Sequence, residues 1–303
     1  MVKPIFLQKA KKFNPDKDDI RGWGVQKKID GVRVQIVINS ETDVRIFSKS
    51  ITKKTNWFND YTEKLQHITS CVERMVLKNP TLKGSILDGE AYVDVFDDDD
   101  DNFSYTSGTL NKKESYKHQL ENHLIKIVLF DMPLEELNYM RRHAKLTDLV
   151  PAGTKYVHVN PMTLNKNKEY LEVFNDIVHS GGEGIVLYNL YGFYKHSEKK
   201  CQVSADLLKI KDVNEREVYV KAHEEGKGKD QGRLGALVCD DGMGRIVNIG
   251  SGFNDSEKEH IWNELEPPYL VEMTFHSETD KSYRWPIFKR LRIDKQLTDW
   301  TIG

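Results

Sequence analysis

Apolar and polar residues alternate along the first two thirds of the chain in short runs that predict strands, with helical periodicity between some of them. The predicted strands cover residues 23–27, 32–38, 44–49, 85–93, 125–132, 184–188 and 207–211. Helices are predicted at about 60–78 and 168–179, and a third after Pro133. The acidic tract at 94–102 interrupts the pattern and predicts a solvated loop.

The pattern changes near Asp212, where short strands with a single helix take over. The later strands are predicted at 217–223, 234–239, 245–249 and 270–276, and the helix at about 256–265. About five short strands with one helix, in about 90 residues, are typical of a small barrel of the OB type. We therefore expect an α+β fold with two domains. Residues 1–212 would form antiparallel sheets with flanking helices, and residues 213–303 a β-barrel.

Charge is balanced over the whole chain but unevenly distributed along it. The 303 residues carry a formal net charge of −2, which gives no overall basic excess to indicate a polyanionic partner. Two stretches, 195–211 and 281–295, are nevertheless distinctly basic. A neutral protein can still bind nucleic acid when its cations line one groove, so net charge excludes little here.

The cysteines and the apolar runs indicate where the protein works. Cys71, Cys201 and Cys239 lie far apart and match no zinc-binding spacing, which is typical of a reducing compartment. The N-terminus has no apolar core of secretory length, and no run approaches 18 consecutive apolar residues. We expect a soluble protein with no membrane association. It would be cytoplasmic, or located in the nucleus or a viral factory if the host is eukaryotic.

The hexapeptide Lys28-Ile29-Asp30-Gly31-Val32-Arg33 lies between two predicted strands. A lysine at a strand end, close to a carboxylate and an arginine, suits nucleophilic attack on a nucleotide once the lysine has lost its proton. Asp30 would steer the lysine or a metal, Gly31 would let the backbone turn, and Arg33 would hold a phosphate or a ribose. An ordinary Asp-Gly hairpin with solvated charges fits these residues equally well. The hexapeptide alone leaves both interpretations open.

Six further signatures follow the hexapeptide in order. They start at Arg45, Asp88, Phe130, Glu183, Leu208 and Arg284. Each has a plain structural interpretation by itself: strand-end carboxylates facing water, a core phenylalanine, the wet face of an edge strand, or a basic surface. In this order, however, the series resembles the covalent nucleotidyltransferases, and specifically the ATP-dependent DNA ligases, over nearly the whole chain. The resemblance implies an adenylation (nucleotidyltransferase) domain followed by an OB-fold domain.

The resemblance implies a nucleophile and the groups that serve it. Lys28 would attack the α-phosphate of ATP, forming lysyl-AMP and releasing pyrophosphate. Lys209 and Lys211 would neutralise the charge that spreads over the phosphate, together with Mg²⁺, for which Mn²⁺ can substitute. Asp30 and Glu183 would position the metal and the nucleophile.

Further roles follow from the same resemblance. Glu183 and Glu90 are the candidate metal ligands, because Mg²⁺ prefers carboxylate and water oxygens. Phe130 would stack on the adenine, and Arg33 and Glu90 would grip the ribose. The residues that would bind ATP and orient the departing pyrophosphate are Arg292, Asp294 and Lys295. Those that would contact the 5′-phosphate of DNA are Arg45, Ser48 and Lys49. These ligases usually carry arginine where this chain has Lys49, so the two-pronged grip on a phosphate is lost.

The expected function is therefore sealing of nicked duplex DNA by a monomeric enzyme, by way of lysyl-AMP and adenylated DNA. An mRNA-capping guanylyltransferase shares the opening motif, but its fourth motif typically begins Asp-Gly, where this chain has Glu183-Gly184. An RNA ligase shares the Glu-Gly form but usually lacks the OB domain. A catalytically inactive nick-binding protein on the same fold is a further alternative. Only 27 residues precede Lys28, so we expect the small two-domain type found in bacteria and viruses.

Overall fold

A computed structural model describes residues 1–52, 55–96, 99–112, 123–151, 153–211, 214–275, 278 and 282–295. The chain divides into two compact units, Met1–Lys211 and Asp212–Gly303. No helix within these described ranges is long and apolar enough to span a membrane.

The first unit is built from two sheets. Its six-stranded sheet has the order β5-β4-β3-β6-β7-β8. Those strands are β3 (Val32–Ser40), β4 (Asp43–Ile51), β5 (Phe58–Asp60), β6 (Ser85–Tyr92), β7 (Lys126–Asp131) and β8 (Val157–Val159). Neighbours are antiparallel except for β7 and β8. The sheet thus confirms the predicted antiparallel architecture.

The five-stranded sheet of the first unit has the order β1-β11-β10-β2-β9. Its strands are β1 (Lys9–Lys12), β2 (Trp23–Lys27), β9 (Thr163–Asn165), β10 (Gly184–Tyr188) and β11 (Val203–Lys211). Only β1 and β11 run parallel to each other. Because β2 and β3 belong to different sheets, the hairpin interpretation of the hexapeptide is wrong. Residues 28–31 carry the chain from one sheet to the other.

Within the described residues of the first unit, four α-helices accompany these sheets: α1 (Gln66–Lys78), α2 (Asp99–Asn111), α3 (Tyr139–Leu149) and α4 (Glu169–His179). Alternate residues of β3, namely Val34, Ile36 and Ile38, are buried in the main core together with apolar residues of α1. The alternation follows from the strand period of two, which sends successive side chains to opposite faces. Arg33 therefore lies on the opposite face of β3.

Two helix predictions need correction. Helix α1 begins six residues later than predicted, because Phe58–Asp60 forms β5 instead. The acidic tract is not a loop throughout, since α2 starts at Asp99; residues 97–98 lie outside the described part. The buried Asn102 side chain accepts hydrogen bonds from the backbone N–H groups of Val95 and Phe96. These bonds tie the preceding segment to the helix, and charge composition alone does not reveal them.

The second unit is a five-stranded antiparallel sheet in the order β14-β13-β12-β15-β16, with one helix. Its elements are β12 (Asn214–Glu225), β13 (Leu234–Asp240), β14 (Ile246–Ile249), α5 (Asp255–Glu264), β15 (Tyr269–Phe275) and β16 (Ile287–Leu291). The predicted complement of short strands and one helix is confirmed. Its apolar face packs into a separate core that includes Val218, Leu237 and Ile261.

The expected barrel is not closed by strand pairing among the described residues, because β14 and β16 end the sheet as its two edges. In the described part of this unit, a backbone hydrogen bond joins these regions: Phe288 N–H donates to Ser251 O over 2.8 Å, just beyond β14. Gly252 allows this approach, since its φ is +101° and a Cβ there would lie 2.3 Å from Phe288 O. The segment after β14, rather than β14 itself, therefore meets β16.

Candidate active site

A pocket of about 340 Å³ lies in the first unit. Seven of the predicted site residues line it: Lys28, Arg33, Lys49, Glu90, Phe130, Lys209 and Lys211. They come from β3, β4, β6, β7, β11 and the connection after β2. The pocket thus gathers residues that are spread over more than 180 positions of the chain.

Lys28 is positioned by the pairing of β2 with β10. Its backbone N–H donates to Gly184 O over 2.8 Å, which places the lysine beside Glu183. The Glu183 carboxylate, only 1% exposed, accepts one hydrogen bond from Lys28 Nζ and another from Lys211 Nζ. Burial acts to raise the pKa of Glu183, but the two ammonium charges outweigh burial and lower this pKa. Glu183 is therefore an ionised clamp between two lysines.

Gly31 allows the connection before β3 to lie close against β6. A Cβ at this position would lie 2.3 Å from the backbone oxygen of Ala91 on β6. Any side chain would push residues 28–31 away from β6 and move Lys28 with them. The chain also bends at Gly31, so this steric requirement adds to the role predicted for Gly31 in letting the backbone turn.

Arg33 is held by a buried carboxylate. Its Nε and Nη2 each donate to Asp88 over 2.7 Å, and the guanidinium carbon lies 5.2 Å from the centre of the Phe130 ring. Tyr194 donates a further hydrogen bond of 2.6 Å to Asp88. Burial opposes ionisation of Arg33, but Asp88 outweighs it and raises the pKa of the guanidinium. Sequence reasoning gave Asp88 no role, although it lies two residues before Glu90.

Glu90 lies opposite Arg33 in the antiparallel pairing of β3 with β6, so both side chains share one face of the sheet. Burial raises the pKa of Glu90 to about 7, although Lys28, Arg33 and Lys49 pull it in the other direction. This carboxyl group consequently changes charge near neutral pH.

Lys209 and Lys211 alternate along β11, opposite Val186 and Gly184 of β10. Burial lowers the pKa of Lys209, and the neighbouring charges of Lys211 and Lys28 lower it further. Three ammonium groups thus share this wall of the pocket, with Glu183 between two of them. Such a wall attracts an anion and matches the charge of a triphosphate.

Not every residue proposed from the motifs reaches the pocket. Asp30 is half-buried and does not line it. Of the three residues assigned to the 5′-phosphate, only Lys49 lines it. Arg45 pairs with Asp43 over 2.8 Å, and the Ser48 hydroxyl donates to Ser50 O and accepts from Asn59 N–H.

Arg292, Asp294 and Lys295 belong to the second unit, where they form ion pairs. Arg292 makes a two-pronged contact of 2.9 and 2.7 Å with Asp294, and it also pairs with Glu217. Lys295 Nζ lies 2.9 Å from both oxygens of Glu217. The hydrogen bond from Arg292 lowers the pKa of Asp294. These residues are mutually neutralised at the surface of their own sheet.

The pocket also contains residues that sequence reasoning missed. They are Gln8, Lys9, Ala10, Lys27, Ile29, Asn160, Val186, Tyr188, Val203 and Leu207. A period of two could have found some of them, because Val186 and Tyr188 share a face with Gly184, and Leu207 shares one with Lys209. No local signal points to Lys9 or Ala10, which reach the site through the parallel pairing of β1 with β11.

Gln26 supplies an unpartnered polar atom behind the pocket wall. Its side chain is 1% exposed, and its Nε2 donates to Asn160 O over 2.9 Å. Its Oε1 is buried without a hydrogen-bond partner. Asn160 lines the pocket and donates from Nδ2 to Lys27 O. A buried acceptor of this kind is costly unless a ligand or water donates to it.

The described residues contain no group of three or more histidine, cysteine, aspartate or glutamate side chains arranged to hold a metal ion. Both oxygens of Glu183 already accept hydrogen bonds from lysines. A dedicated protein cage for a metal is therefore missing from this part of the chain.

Two family models match the chain. The model of the ATP dependent DNA ligase domain covers residues 8–211, and the model of the DNA ligase OB-like domain covers residues 225–292. These matches fall on the first and the second unit respectively.

Individual relatives agree with the family models. A DNA ligase of Haemophilus influenzae is 34% identical over 138 residues, which are 45% of this chain and 49% of the relative. A probable DNA ligase of Streptomyces coelicolor is 26% identical over 319 residues, covering 96% of this chain and 58% of the relative. The chain thus spans about half the length of these relatives.

Solved structures show the same fold. A structure from a study of DNA binding with a minimal scaffold by Lig E DNA ligases has a TM-score of 0.70 and 22% identity. The match covers 96% of this chain and 100% of that one. The likeness places both units of this chain in one known architecture.

Proposed function

Because the chain belongs to the ATP-dependent DNA ligase family, we propose that it seals nicks in duplex DNA through a lysyl-AMP intermediate. The observation that carries this proposal is the contact of Lys28 and Lys211 with the buried Glu183 at the wall of the pocket. A nucleophilic lysine, a carboxylate that fixes it and a cationic wall for phosphate meet at one place.

In the first step Lys28 Nζ releases a proton to water, and its lone pair attacks the α-phosphorus of ATP; a second proton leaves the nitrogen for water as the phosphoramidate forms. The new N–P bond forms as the bond from the α-phosphorus to the bridging oxygen breaks, and pyrophosphate leaves with the electron pair. Lys209 and Lys211 stabilise the charge on the phosphate oxygens. Arg292, Asp294 and Lys295 would orient the pyrophosphate, as the resemblance implies.

Adenine selection would rest on Gln26. Its buried Oε1 is an acceptor without a donor, and adenine presents an amino group that can donate to it. Guanine presents an oxygen at the same ring position, which would leave two acceptors facing each other. Phe130, beneath the Arg33 guanidinium, supplies an aromatic surface for the base.

Mg²⁺, or Mn²⁺ in its place, would be held by Glu90 and Glu183 together with phosphate oxygens and water. Glu90 fits this role because its carboxylate lines the pocket, and Mg²⁺ prefers carboxylate oxygens. Glu183 already holds two lysines, so ATP itself would provide most of the ligands, as is usual for Mg²⁺. The ion would neutralise phosphate charge.

The later steps use the same pocket. AMP passes from Lys28 to the 5′-phosphate at the nick, and the 3′-hydroxyl then attacks that phosphate and expels AMP. Lys49 is the candidate contact for the 5′-phosphate, with Arg45 and Ser48 outside the pocket. We expect a monomer in which residues 1–212 carry the nucleotide and residues 213–303 assist. It would act where ATP and DNA occur together, in the cytoplasm, or in a nucleus or viral factory.

A nick-sealing comparison tests this proposal. The full chain is incubated with ATP and Mg²⁺ on a nicked DNA duplex, and in parallel on the same nick in RNA. We expect sealing of the DNA nick and little sealing of the RNA nick. Preferential sealing of the RNA nick would indicate that the protein is an RNA ligase. Adduct formation with GTP instead of ATP would indicate a capping enzyme.

A further inference from the structure

Two exposed aromatic rings follow β10 on a short segment that the proposed chemistry does not use. Tyr191 is 72% exposed and Phe193 is 60% exposed, whereas Gly192 between them is buried. Aromatic side chains usually bury most of their surface in a fold, so two exposed rings separated by one residue mark an interaction surface. We call Tyr191 and Phe193 the aromatic platform.

The backbone of the platform is rigidly anchored. Gly192 O accepts hydrogen bonds from Tyr139 N–H and from Arg142, and Leu190 O accepts one from Met140 N–H. A Cβ on Gly192 would lie 2.7 Å from Asp206 Cβ, so this segment is packed directly against β11. Rings presented on a fixed backbone lose little freedom on binding, which favours a recognition role.

The platform is connected to the pocket at its next residue. Tyr194 donates its hydroxyl hydrogen to Asp88, the carboxylate that holds Arg33 in the pocket. Further along the same segment, Lys9 N–H donates to Gln202 O, and Val203 lines the pocket together with Lys9. The segment from Tyr191 to Val203 therefore runs from the aromatic platform to the rim of the pocket.

Basic side chains follow this route. Lys195, Lys199 and Lys200 are exposed along it, accompanied by the carboxylates Glu198 and Asp206. Lys195 Nζ lies 3.2 Å from Asp206, which leaves Lys199 and Lys200 as the cations nearest the rim in sequence. Lys9 and Lys49 at the pocket continue the positive charge. This arrangement of rings and cations complements a strand that has both bases and phosphates.

We infer that the aromatic platform binds unpaired bases of a single DNA strand whose phosphates follow the lysines toward the pocket. Single-stranded DNA is favoured over intact duplex because its bases expose their faces for stacking, whereas duplex bases are already stacked. The inference rests on the proposed function and extends its substrate class to DNA with unpaired nucleotides beside the break.

Fluorescence anisotropy with a labelled oligothymidine of about 16 nucleotides tests the inference on the full chain. The Tyr191→Ala/Phe193→Ala double variant should weaken binding at least about tenfold. The Tyr191→Phe/Phe193→Tyr variant keeps both rings and should bind like the original protein. The control is Leu164→Ala/Leu171→Ala, which removes two exposed apolar side chains elsewhere and should leave binding unchanged.

Three results would overturn the inference: unchanged binding by the double alanine variant, equal loss in the ring-retaining variant, or equal loss of binding to an unnicked duplex. The last result would mean that the rings contact duplex DNA. Thermal unfolding of each variant shows whether it has folded. Transfer of the α-phosphate label to the original protein is measured separately, so that failure of the proposed chemistry is distinguished from failure of the platform.

Discussion

The ion pairs at the pocket of the first unit and the pair of Arg292 with Asp294 in the second unit lie in different settings. In the first unit, Asp88 and Glu183 are each 1% exposed while they hold Arg33 and Lys28. In the second unit, Arg292 pairs with Asp294, whose side chain is 56% exposed. Buried charges interact strongly because water does not screen them, whereas exposed pairs contribute little to stability.

The pKa shifts follow this difference. Burial raises the pKa of Glu90 and lowers that of Lys209, so the pocket disfavours charge in both groups. Around Glu272 in the second unit the largest cause is instead a hydrogen bond to a cation: Lys289 is the main cause that lowers the pKa of Glu272 to about 2. A carboxyl group whose pKa lies near neutrality, such as Glu90, suits proton transfer and catalysis, whereas a carboxylate kept ionised by its cations suits a structural role. This difference supports the proposal that the chemistry takes place in the first unit.

The largest effect is expected from Glu183→Ala. Without this carboxylate Lys28 and Lys211 lose their common partner and repel each other, so label transfer from ATP should fall at least about 1,000-fold. Nick sealing should be abolished while the fold persists, as circular dichroism would show. Glu41→Ala removes the carboxylate of an exposed pair with Lys83 and is the matched control. Normal nick sealing by Glu183→Ala would show that the assignment of Glu183 to the active site is wrong.

Loss of a buried arginine should be the next largest effect. Arg33→Ala leaves Asp88 buried without its cation, and breaking such a pair costs about 3–5 kcal/mol of unfolding free energy. Urea denaturation measures this change. Arg21→Ala breaks another two-pronged pair, with Asp19, in which the two side chains are 84% and 63% exposed. That variant should unfold like the original protein, and equal destabilisation by both variants would contradict the comparison.

Glu90 should make stability depend on pH. Its pKa rises from 4.5 in the unfolded chain to about 7 in the folded one, so the folded state binds the proton more tightly. The stabilisation is complete below about pH 4.5 and is lost as pH rises through 7. The unfolding free energy of the original protein minus that of Glu90→Gln should fall by about 3 kcal/mol between pH 4.5 and pH 8. A pH-independent difference would show that Glu90 titrates normally.

The smallest effect is expected in the second unit. Lys295→Ala should leave the unfolding free energy unchanged within error, because its pair with Glu217 is partly exposed. Label transfer from ATP should fall only about tenfold, because the loss of one exposed charge contact changes a rate by roughly that factor. Enzyme that already carries AMP should seal nicks normally in this variant. Slower sealing by the adenylated variant would assign Lys295 to a later step.

Much of this arrangement follows from local sequence signals. The period of two predicts the strands β2, β3, β10 and β11. The family resemblance carried by the order of the motifs predicts that Lys28, Glu90, Phe130 and Lys209 bind ATP, and these four residues line one pocket. What the sequence does not reveal depends on contacts between distant residues. Gly31 looks like a turn residue, yet its requirement comes from Ala91 of another strand. Likewise, nothing near Asp88 indicates that it will hold Arg33, 55 residues away.

We propose above all that Lys28 becomes adenylated in the charged pocket of the first unit. Incubation with ATP labelled at the α-phosphate, followed by peptide mapping, tests it most directly. We expect one acid-labile adduct on Lys28, no adduct with GTP, and none in Lys28→Ala. An adduct on another residue, or one that persists in Lys28→Ala, would contradict it.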